Sequence, residues 1–521
     1  MTGGGPLPHL TDDPALPEEE RVLLGRARVL IPRLAERAPA AAAARQLPAQ
    51  TIAEYRDAGI LRILQPKRFG GLQGRFSLFS RIVEELTYGC ASSAWVYAVL
   101  AEHQWIIAQY PEQAQIDVWG GDPEAVAASS LAPREAALQV PGGWRLSGHY
   151  PFSSGCDYAQ WAIVGAFLGE KGDPRHIAYL LVPLVEVEIV DDWQVLGLAG
   201  TGSKSLVLRD VFVPAHRCVM VSDLFAGTPP GALVHPEYPV LRAPRGFLVS
   251  YSLPPVAIAL GRRALDVGCA ALARRVSRGV TRVAESEVFQ MAVGEASAAI
   301  DVATLLLHTG RESSTAAVSS GRKITEAEAL RTRRDMVYAQ HQVSRALDIL
   351  CELDGARWVY DSDELGAIRR DVMTILTHHA ASRQAAMAPY GRMLCSRKVT
   401  PNDTANDTAS EYLTGISVQG ICYPDGRDLL LCRQPARSRQ PAPPGRRLGG
   451  VVAGRPRHPG APAARAQAPD PPFFRDSSGL AKCCPLAATD RGRQHPDPPR
   501  HPRRPSLFRA RRHRIGHRVR R

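Results

Sequence analysis

The sequence predicts an α+β protein of three consecutive regions, helical, β-stranded and helical again, followed by a basic tail. The spacing of apolar residues carries this prediction. They recur every three to four positions up to about residue 124, alternate from about 125 to 214, and return to helical spacing after 251. A chain of 521 residues is long enough for two or three domains with a large core. We predict a helical domain at 18–124, a β domain at 125–225, a four-helix bundle at 240–395 and a tail at 396–521.

The first region shows four segments with helical spacing, at 18–37, 49–58, 77–88 and 91–110. Gly59 directly follows the second segment and suits the residue after a helix end. The fourth segment is apolar on nearly every side, which indicates a buried helix, and it carries His103.

The second region contains six short runs that are typical of strands, most of them bounded by proline or glycine: 126–131, 144–149, 161–167, 177–183, 187–190 and 205–213. They predict an antiparallel β-layer. Between the second and third runs lies the stretch Tyr150-Pro151-Phe152-Ser153-Ser154-Gly155-Cys156-Asp157. Its two hydroxyls and its glycine leave room for a flat ligand with polar edges. Taken alone, the stretch is more simply a serine-rich connection between strands.

The third region contains four long helical segments with short connections, at 256–277, 288–308, 326–353 and 365–389. Long helices with short connections are typical of an antiparallel bundle.

The net charge of +13 comes from the tail. From Arg433 onward 22 Lys and Arg face 4 Asp, a net of +18, so residues 1–432 carry −5. Residues 1–432 therefore lack the excess of basic charge that is typical of a nucleic-acid-binding protein. The tail is rich in Arg, Pro and Ala and has no apolar period, so we expect it to be disordered. A sequence of this composition also results when a GC-rich gene is translated out of frame. A third interpretation is that the tail is an arm that binds anionic surfaces or nucleic acid.

Other sequence features indicate a cytoplasmic protein. The ten cysteines are scattered without a Cys-x-x-Cys pair, which favours a reducing compartment. Residues 1–17 have no apolar stretch typical of a signal, and no run of about 18 apolar residues predicts a membrane span. No Gly-x-Gly-x-x-Gly fingerprint follows a predicted strand, so we expect no dinucleotide site.

An ordered set of motifs over residues 20–392 resembles the acyl-CoA dehydrogenase superfamily, whose fold has the same order of regions. The motifs are Leu61–Pro66 with Phe69-Gly70-Gly71, Ile82–Leu86, Ser93-Ala94-Trp95, Pro111-Glu112 with Val118-Trp119-Gly120, the stretch 150–157 with Ala159-Gln160-Trp161, and Thr201–Lys204 with Val207–Pro214.

One departure from the dehydrogenases points to a branch of the superfamily. They commonly keep a glutamate base eight residues after an Arg-Asp pair, but here that position after Arg370-Asp371 is His379. Together with the Phe-Ser-Ser-Gly motif, this histidine resembles the flavin-dependent monooxygenases, the oxygenase components of two-component systems similar to p-hydroxyphenylacetate hydroxylase and to aromatic polyketide and steroid-ring hydroxylases. A carboxylate suits removal of an α-proton, whereas histidine suits a group that works near neutral pH.

The resemblance implies hydroxylation of an aromatic or polyketide-like small molecule through a flavin C4a-hydroperoxide. It implies reduced FMN, or FAD, supplied by a separate NAD(P)H:flavin reductase, and O2 as co-substrate. It further implies a homotetramer that binds neither nucleic acid nor membrane.

The same resemblance implies the catalytic residues. Ser154 or Ser153 would bond the flavin near N5, and His379 would lie by the peroxide and the substrate. His103 would polarise the substrate's phenol, although a buried histidine bonded to a backbone carbonyl is the alternative. On a continuous helix His378 would point about 100° away from His379, so only one of them would face the site.

The remaining implied residues bind flavin or substrate. Ser129 resembles a second substrate contact, with Ser130 on the opposite strand face as the alternative. Thr201, Gly202 and Ser203 would hold the flavin's polar edge or phosphate, or form only a turn. Arg245 would be a cation that contacts the substrate or gates the flavin.

Three other functions stay open at this point. An acyl-CoA dehydrogenase with a relocated base would use a glutamate such as Glu326, Glu328 or Glu352. Related enzymes N-oxidise amino sugars. A binding or scaffold protein would keep the fold without binding flavin.

Overall fold

Helices fill the first region, as predicted. The structure, a computed structural model, describes residues 16–277 and 281–396. Its first helices are α1 Glu18–Ala44, α2 Ala49–Asp57, α3 Phe76–Thr87, α4 Ala91–Ile107 and α5 Glu112–Trp119. Helix α4 is buried along its whole length except at Val99. Elements of all three regions pack around it, which explains why its sequence is apolar on nearly every side.

The second region is a sandwich of two four-stranded sheets. Its strands are β1 Ala127–Ala136, β2 Leu138–Val140, β3 Gly143–Ser153, β4 Trp161–Phe167, β5 Ile177–Pro183, β6 Glu188–Val190, β7 Lys204–Pro214 and β8 Cys218–Met220. One sheet has the order β1-β4-β5-β8 and the other β2-β3-β7-β6. Leu146, Val164, Leu180 and Leu206 are among the apolar residues that form a core of their own in this region.

The predicted antiparallel layer needs one correction, because β1 and β4 run parallel. The chain leaves β1, passes through β2 and β3 of the other sheet, and returns to β4 in the same direction. Such a crossover is how two parallel neighbours are joined, whereas a hairpin joins antiparallel ones. The other neighbouring pairs in the two sheets are antiparallel.

The third region contains the bundle. After the short helices α6 Val221–Ala226, α7 Gly231–Val234 and α8 Arg245–Leu248 come α9 Pro254–Arg274, the short strands β9 Val276–Ser277 and β10 Thr281–Arg282, α10 Glu287–Ser319, α11 Glu326–Asp354, α12 Glu364–Thr377 and α13 Arg383–Ser396. Predicting one helix over 365–389 was wrong. His378 is extended (φ −70°, ψ 144°), and its Nδ1 accepts a hydrogen bond from the Ala380 N–H (3.3 Å), an alternative to the helical pattern.

A buried ion cluster joins the first region to the bundle. Glu84 on α3 accepts hydrogen bonds from His308 Nε2 (2.9 and 3.0 Å to its two oxygens) and from Arg311 Nη1 (3.0 Å) on α10. Arg262 of α9 lies 3.8 Å from the same carboxylate. Burial opposes ionisation of Glu84, but His308 and Arg311 outweigh it and lower its pKa to about 2. The carboxylate is therefore ionised and closely bound at neutral pH.

Helix α10 exposes an apolar stripe, in which Val288, Met291, Val302 and Leu305 are 71%, 75%, 45% and 65% exposed. Among the described residues, α10 is the one helix whose length and composition would allow it to cross a membrane. That observation is weak by itself, because core helices of soluble proteins meet the same criterion.

The predicted basic tail lies outside the described residues, apart from its first residue, Ser396.

Candidate active site

A cavity of about 350 Å³ opens between the β domain and the helices. Its walls come from α4, β1, the end of β3, the segment 193–203, α8 and the junction of α12 with α13. The volume lies within the usual range for small-molecule sites. Most of the residues that the sequence marked for chemistry lie on these walls.

One wall is a chain of hydroxyl groups. Trp95 Nε1 donates to Ser154 Oγ (3.2 Å), Ser154 Oγ lies 2.7 Å from Ser203 Oγ, and Ser203 Oγ lies 2.8 Å from Thr201 Oγ1. Thr201 Oγ1 in turn donates to the Leu198 carbonyl (2.8 Å). Ser154, Ser203 and Thr201 all line the cavity and are buried.

The segment that carries Leu198 is fixed to helix α12. The Leu198 N–H donates to Asp371 Oδ1 (2.6 Å), and Leu198 adopts a left-handed backbone conformation with φ 54°. A Cβ at Gly197 would lie 2.2 Å from the Arg370 carbonyl oxygen, so only glycine allows this close approach. Burial raises the pKa of Asp371 to about 6.

His103 and Ser129 form a hydrogen-bonded pair at the cavity. His103 Nδ1–H donates to the Ala127 carbonyl (2.6 Å), so Nε2 of the neutral ring accepts from the Ser129 hydroxyl (3.0 Å). Burial lowers the pKa of His103 to about 4, which keeps the ring neutral at pH 7. His103 therefore bonds a backbone carbonyl, as the alternative expected, and it also lines the cavity; its role toward a phenol stays a prediction.

Both histidines of the Thr377-His378-His379 stretch line the cavity. The helix ends at Thr377, so the expected separation of the two side chains does not apply; the ring centroids lie 4.3 Å apart. Burial lowers the pKa of His378 to about 3, and its ring meets Trp95 edge to face at 5.5 Å. His379 remains partly exposed to solvent; enclosure of its ring, with the charges of Arg245 and Arg333, lowers its pKa to about 4.

Arg245 is a buried cation on the cavity wall, at the start of α8. Its Nη2 lies 3.5 Å from Glu102 Oε1, its guanidinium lies over the Tyr179 ring at 5.5 Å, and its buried Nε has no hydrogen-bond partner among the described residues. Burial raises the pKa of Glu102, against the opposing charge of Arg245. A guanidinium with so few bonds retains donors for a ligand oxygen.

Two predicted residues, Ser153 and Gly202, do not line the cavity, and the alternative Ser130 lines it with its hydroxyl already bonded. Ser153 is fully buried, and its hydroxyl has no partner among the described residues. Gly202 lies in the turn behind Thr201, with φ 53° and with Asp157 and the Arg45 carbonyl next to it. Ser130 lines the cavity, but its hydroxyl donates to the Pro151 carbonyl (2.7 Å). Glu326, Glu328 and Glu352 are not lining residues.

Sequence reasoning missed Glu102, which had a visible signal: it is a carboxylate inside a helix that is otherwise apolar on nearly every side. It also missed two aromatic residues, Phe152 and Trp193, whose rings lie 6.2 Å apart on the cavity wall. Phe152 is 65% exposed and has φ 67°, a conformation that bulky residues rarely adopt. Nothing in the spacing of the sequence shows this backbone conformation.

Family models match both helical regions. The N-terminal domain of acyl-CoA dehydrogenases matches residues 17–120, and the C-terminal domain matches residues 252–383. These matches confirm the fold that the motifs and the order of the regions predicted.

Known relatives identify the branch. The chain is 32% identical to the oxygenase subunit HsaA, a flavin-dependent monooxygenase of Rhodococcus jostii, over 70% of this chain and 96% of the relative. It is 39% identical to the oxygenase component of an FADH2-dependent resorcinol hydroxylase from a Rhizobium strain, over 51% of this chain and 66% of that relative. It is 27% identical to the oxygenase component of p-hydroxyphenylacetate 3-hydroxylase from Acinetobacter baumannii, over 73% and 90%.

Solved structures agree with this assignment. The 3-HSA hydroxylase from Rhodococcus sp. RHA1 superposes with a TM-score of 0.68 at 31% identity, over 73% of this chain and 97% of that structure. XiaF from a Streptomyces species, solved with FADH2, gives 0.66 at 25% identity, over 74% and 98%. The chain thus belongs to the oxygenase components of flavin-dependent monooxygenases, a branch of the acyl-CoA dehydrogenase superfamily.

Proposed function

We propose that this oxygenase component takes reduced FMN, with FAD as the alternative, from a separate NAD(P)H:flavin reductase and hydroxylates an aromatic or polyketide-like small molecule in the 350 Å³ cavity. The observation that carries the proposal is that two kinds of group line the same cavity. They are the hydroxyl chain through Ser154 and the uncharged imidazoles of His103 and His378.

The residues on the hydroxyl wall fit a flavin. Ser154, Ser203 and Thr201 offer oxygens to the polar edge of a flat ring, and Trp95 and Trp193 provide flat apolar surface beside them. Bound reduced flavin would supply the activation of O2 and the transfer of one oxygen atom to the substrate. Ser153 and Gly202 would support this wall from behind.

His103 and Ser129 suit the binding of a phenol. The Ser129 hydroxyl donates its proton to His103 Nε2, which leaves lone pairs on Ser129 Oγ to accept the phenol proton. Accepting that proton raises the electron density of the aromatic ring. Arg245, whose Nε has no partner among the described residues, would bind a second oxygen of the substrate.

His378 and His379 also line the cavity, next to Trp95. Both pKa values lie well below 7, so both rings are neutral. The Nδ1 of His378 already accepts from the Ala380 N–H, so its Nε2 carries the hydrogen, whereas the neutral ring of His379 has one nitrogen that can accept a proton. His378 is the more enclosed of the two and packs against Trp95, whereas His379 lies at the solvent side. We assign the proton-accepting role to His379, the catalytic residue expected from the spacing, and a donor role to the Nε2–H of His378.

We further propose that the enzyme is a cytoplasmic homotetramer. The six cysteines among the described residues are all unpaired, as a reducing compartment favours. The exposed stripe of Val288, Met291, Val302 and Leu305 on α10 is typical of a contact between copies of one chain. Light scattering coupled to gel filtration tests the assembly, and Met291→Glu with Leu305→Glu should shift it to a smaller species.

Neighbouring serines provide the test of the activity. We expect Ser154→Ala to divert electrons from hydroxylated product to hydrogen peroxide, because it removes the cavity-facing hydroxyl. Ser153→Ala is the matched control, since its hydroxyl does not line the cavity. Product and peroxide are measured per reduced flavin consumed, with resorcinol and p-hydroxyphenylacetate as probe substrates.

Each competing function predicts a different result. Reduction of bound oxidised flavin by an acyl-CoA would favour a dehydrogenase, and failure to bind any flavin would favour a binding protein. Equal peroxide yields from Ser154→Ala and Ser153→Ala would remove Ser154 from the site.

A further inference from the structure

The hydroxyl chain on the cavity wall has a fixed direction, which its far end determines. The Leu198 carbonyl accepts from the Thr201 N–H (3.1 Å), from Thr201 Oγ1 (2.8 Å) and from Trp193 Nε1 (3.3 Å). A carbonyl has no proton to give, so the single proton of the Thr201 hydroxyl is committed to Leu198.

Every other proton in the chain follows from that commitment. Thr201 Oγ1 can only accept from Ser203, so the Ser203 proton points to Thr201. Ser203 Oγ must then accept from Ser154, so the Ser154 proton points to Ser203. Trp95 Nε1–H donates to Ser154 and occupies one of its two lone pairs. Toward the cavity, Ser154 retains one lone pair and no proton.

Asp371 holds the far end of this chain without touching the cavity. Its carboxylate accepts from the Leu198 N–H (2.6 Å), and Asp371 is not among the lining residues. Leu198 has φ 54°, a strained conformation for a non-glycine residue that persists only where neighbours impose it. Since Gly197 packs against the Arg370 carbonyl, Asp371 and Gly197 together fix the N–H side of Leu198 on α12, and the left-handed conformation of Leu198 then sets the direction of its carbonyl.

We infer that Asp371 is a positioning residue for the flavin site: through Leu198 it fixes the direction of the hydroxyl chain, leaves Ser154 as an acceptor only, and makes the cavity prefer reduced over oxidised flavin. The inference rests on the proposed function, in which this cavity binds the flavin ring. A reduced isoalloxazine presents an N–H at the central ring, where the oxidised ring has a bare nitrogen that only accepts. A Ser154 hydroxyl that can only accept forms a hydrogen bond with the N–H of the reduced ring. It leaves the bare nitrogen of the oxidised ring without a hydrogen-bond partner.

Two variants and a control test the inference by binding alone. Dissociation constants for reduced FMN under anaerobic conditions and for oxidised FMN in air give a ratio for each protein. Thr201→Val removes the hydroxyl that commits the chain to Leu198, so Ser203 can donate to Ser154 and Ser154 can turn its proton to the cavity. We expect the preference for reduced FMN to fall about tenfold, the size of one gained and one lost hydrogen bond. Asp371→Ala should change the ratio in the same direction.

Matched proteins separate this effect from loss of structure. Asp371→Asn keeps an acceptor for the Leu198 N–H and should restore a ratio close to that of the wild type. Thr304→Val is the control for Thr201→Val, because Thr304 is also buried and its hydroxyl also donates to a backbone carbonyl, that of Ile300 (2.9 Å) on α10, away from the cavity. We expect Thr304→Val to leave the ratio unchanged.

The outcomes distinguish the inference from the proposed function. Wild-type protein that binds neither form of FMN nor FAD would overturn both. Wild-type protein that prefers reduced flavin, together with unchanged ratios in Thr201→Val and Asp371→Ala, would overturn only the inference, as would a ratio that falls equally in Thr304→Val.

Discussion

Two buried glutamates, Glu84 on α3 and Glu102 on α4, have similar burial and opposite chemistry. Glu84 accepts hydrogen bonds on both oxygens from His308 and Arg311, and its pKa is lowered to about 2. Glu102 has one ion contact with Arg245, at 3.5 Å, and burial raises its pKa. The difference lies in the number and length of their bonds.

The comparison shows how a structural ion cluster differs from a site. In the folded protein, hydrogen bonds from His308 and Arg311 replace those that the Glu84 carboxylate would make to water. The resulting cluster joins α3 to α10. Glu102 and Arg245 line a cavity, and the buried Nε of Arg245 has no partner among the described residues, so a ligand can still gain by binding there.

Glu84→Gln should destabilise the protein most, by about 3–5 kcal/mol, because it removes the closest counter-charge of the buried Arg311 (3.0 Å) and leaves only the half-exposed Glu312 at 3.5 Å. Chemical denaturation monitored by circular dichroism measures the loss. Glu102→Gln is the matched control and should cost less than about 2 kcal/mol, since Arg245 makes only a long contact with it. Equal losses in the two variants would contradict the comparison.

Acid should act on the cavity before it acts on the Glu84 cluster. The pKa of His103 is lowered from 6.5 to about 4, so the stability it contributes is complete above pH 6.5 and is lost as pH falls toward 4. Glu84, with a pKa lowered from 4.5 to about 2, loses its contribution only below pH 4.5.

Between pH 6 and 4.5 we expect the free energy of unfolding to fall by about 1.4 kcal/mol per pH unit for each buried histidine. His103→Gln keeps a donor for the Ala127 carbonyl. It should reduce the slope of the free energy of unfolding against pH by about 1.4 kcal/mol per pH unit, the contribution of one histidine. Parallel denaturation curves at several pH values measure it; an unchanged slope would show that His103 does not titrate in this way.

Glu102→Gln should also change ligand preference. Losing the carboxylate leaves Arg245 as a net positive charge on the cavity wall, so we expect affinity for the anionic p-hydroxyphenylacetate to rise about tenfold relative to neutral resorcinol. Calorimetric titration of both compounds measures the ratio. Glu84→Gln is the control and should leave the ratio unchanged; a change in both would place the effect outside the cavity.

Ser153→Ala should have the smallest effect. The Ser153 hydroxyl is buried without a partner among the described residues, so its removal should change the free energy of unfolding by no more than about 0.5 kcal/mol, toward greater stability. Ser154→Ala should instead lower stability, because it breaks the bonds to Trp95 and Ser203. Denaturation of both variants tests the pair; a marked loss in Ser153→Ala would reveal a partner for that hydroxyl.

Residue spacing and short motifs predicted the order of the regions, the burial of α4 and the family. Apolar spacing shows which side of a helix or strand is buried. A short motif such as residues 150–157 can be recognised from its consecutive residues alone, without knowledge of the fold. The sequence also marked Ser154, His103 and Arg245, which the fold brings to one cavity.

The bonds that those side chains make in the cavity could not be predicted from spacing and motifs. That α12 stops before His378 depends on a side-chain bond that competes with the helix, and the direction of the hydroxyl chain depends on Leu198, which Asp371 holds from another part of the chain. The parallel pairing of β1 with β4 likewise depends on a crossover between sheets. Contacts between residues far apart in sequence set the direction of the hydroxyl chain and the pairing of β1 with β4, and spacing within one segment carries no record of them.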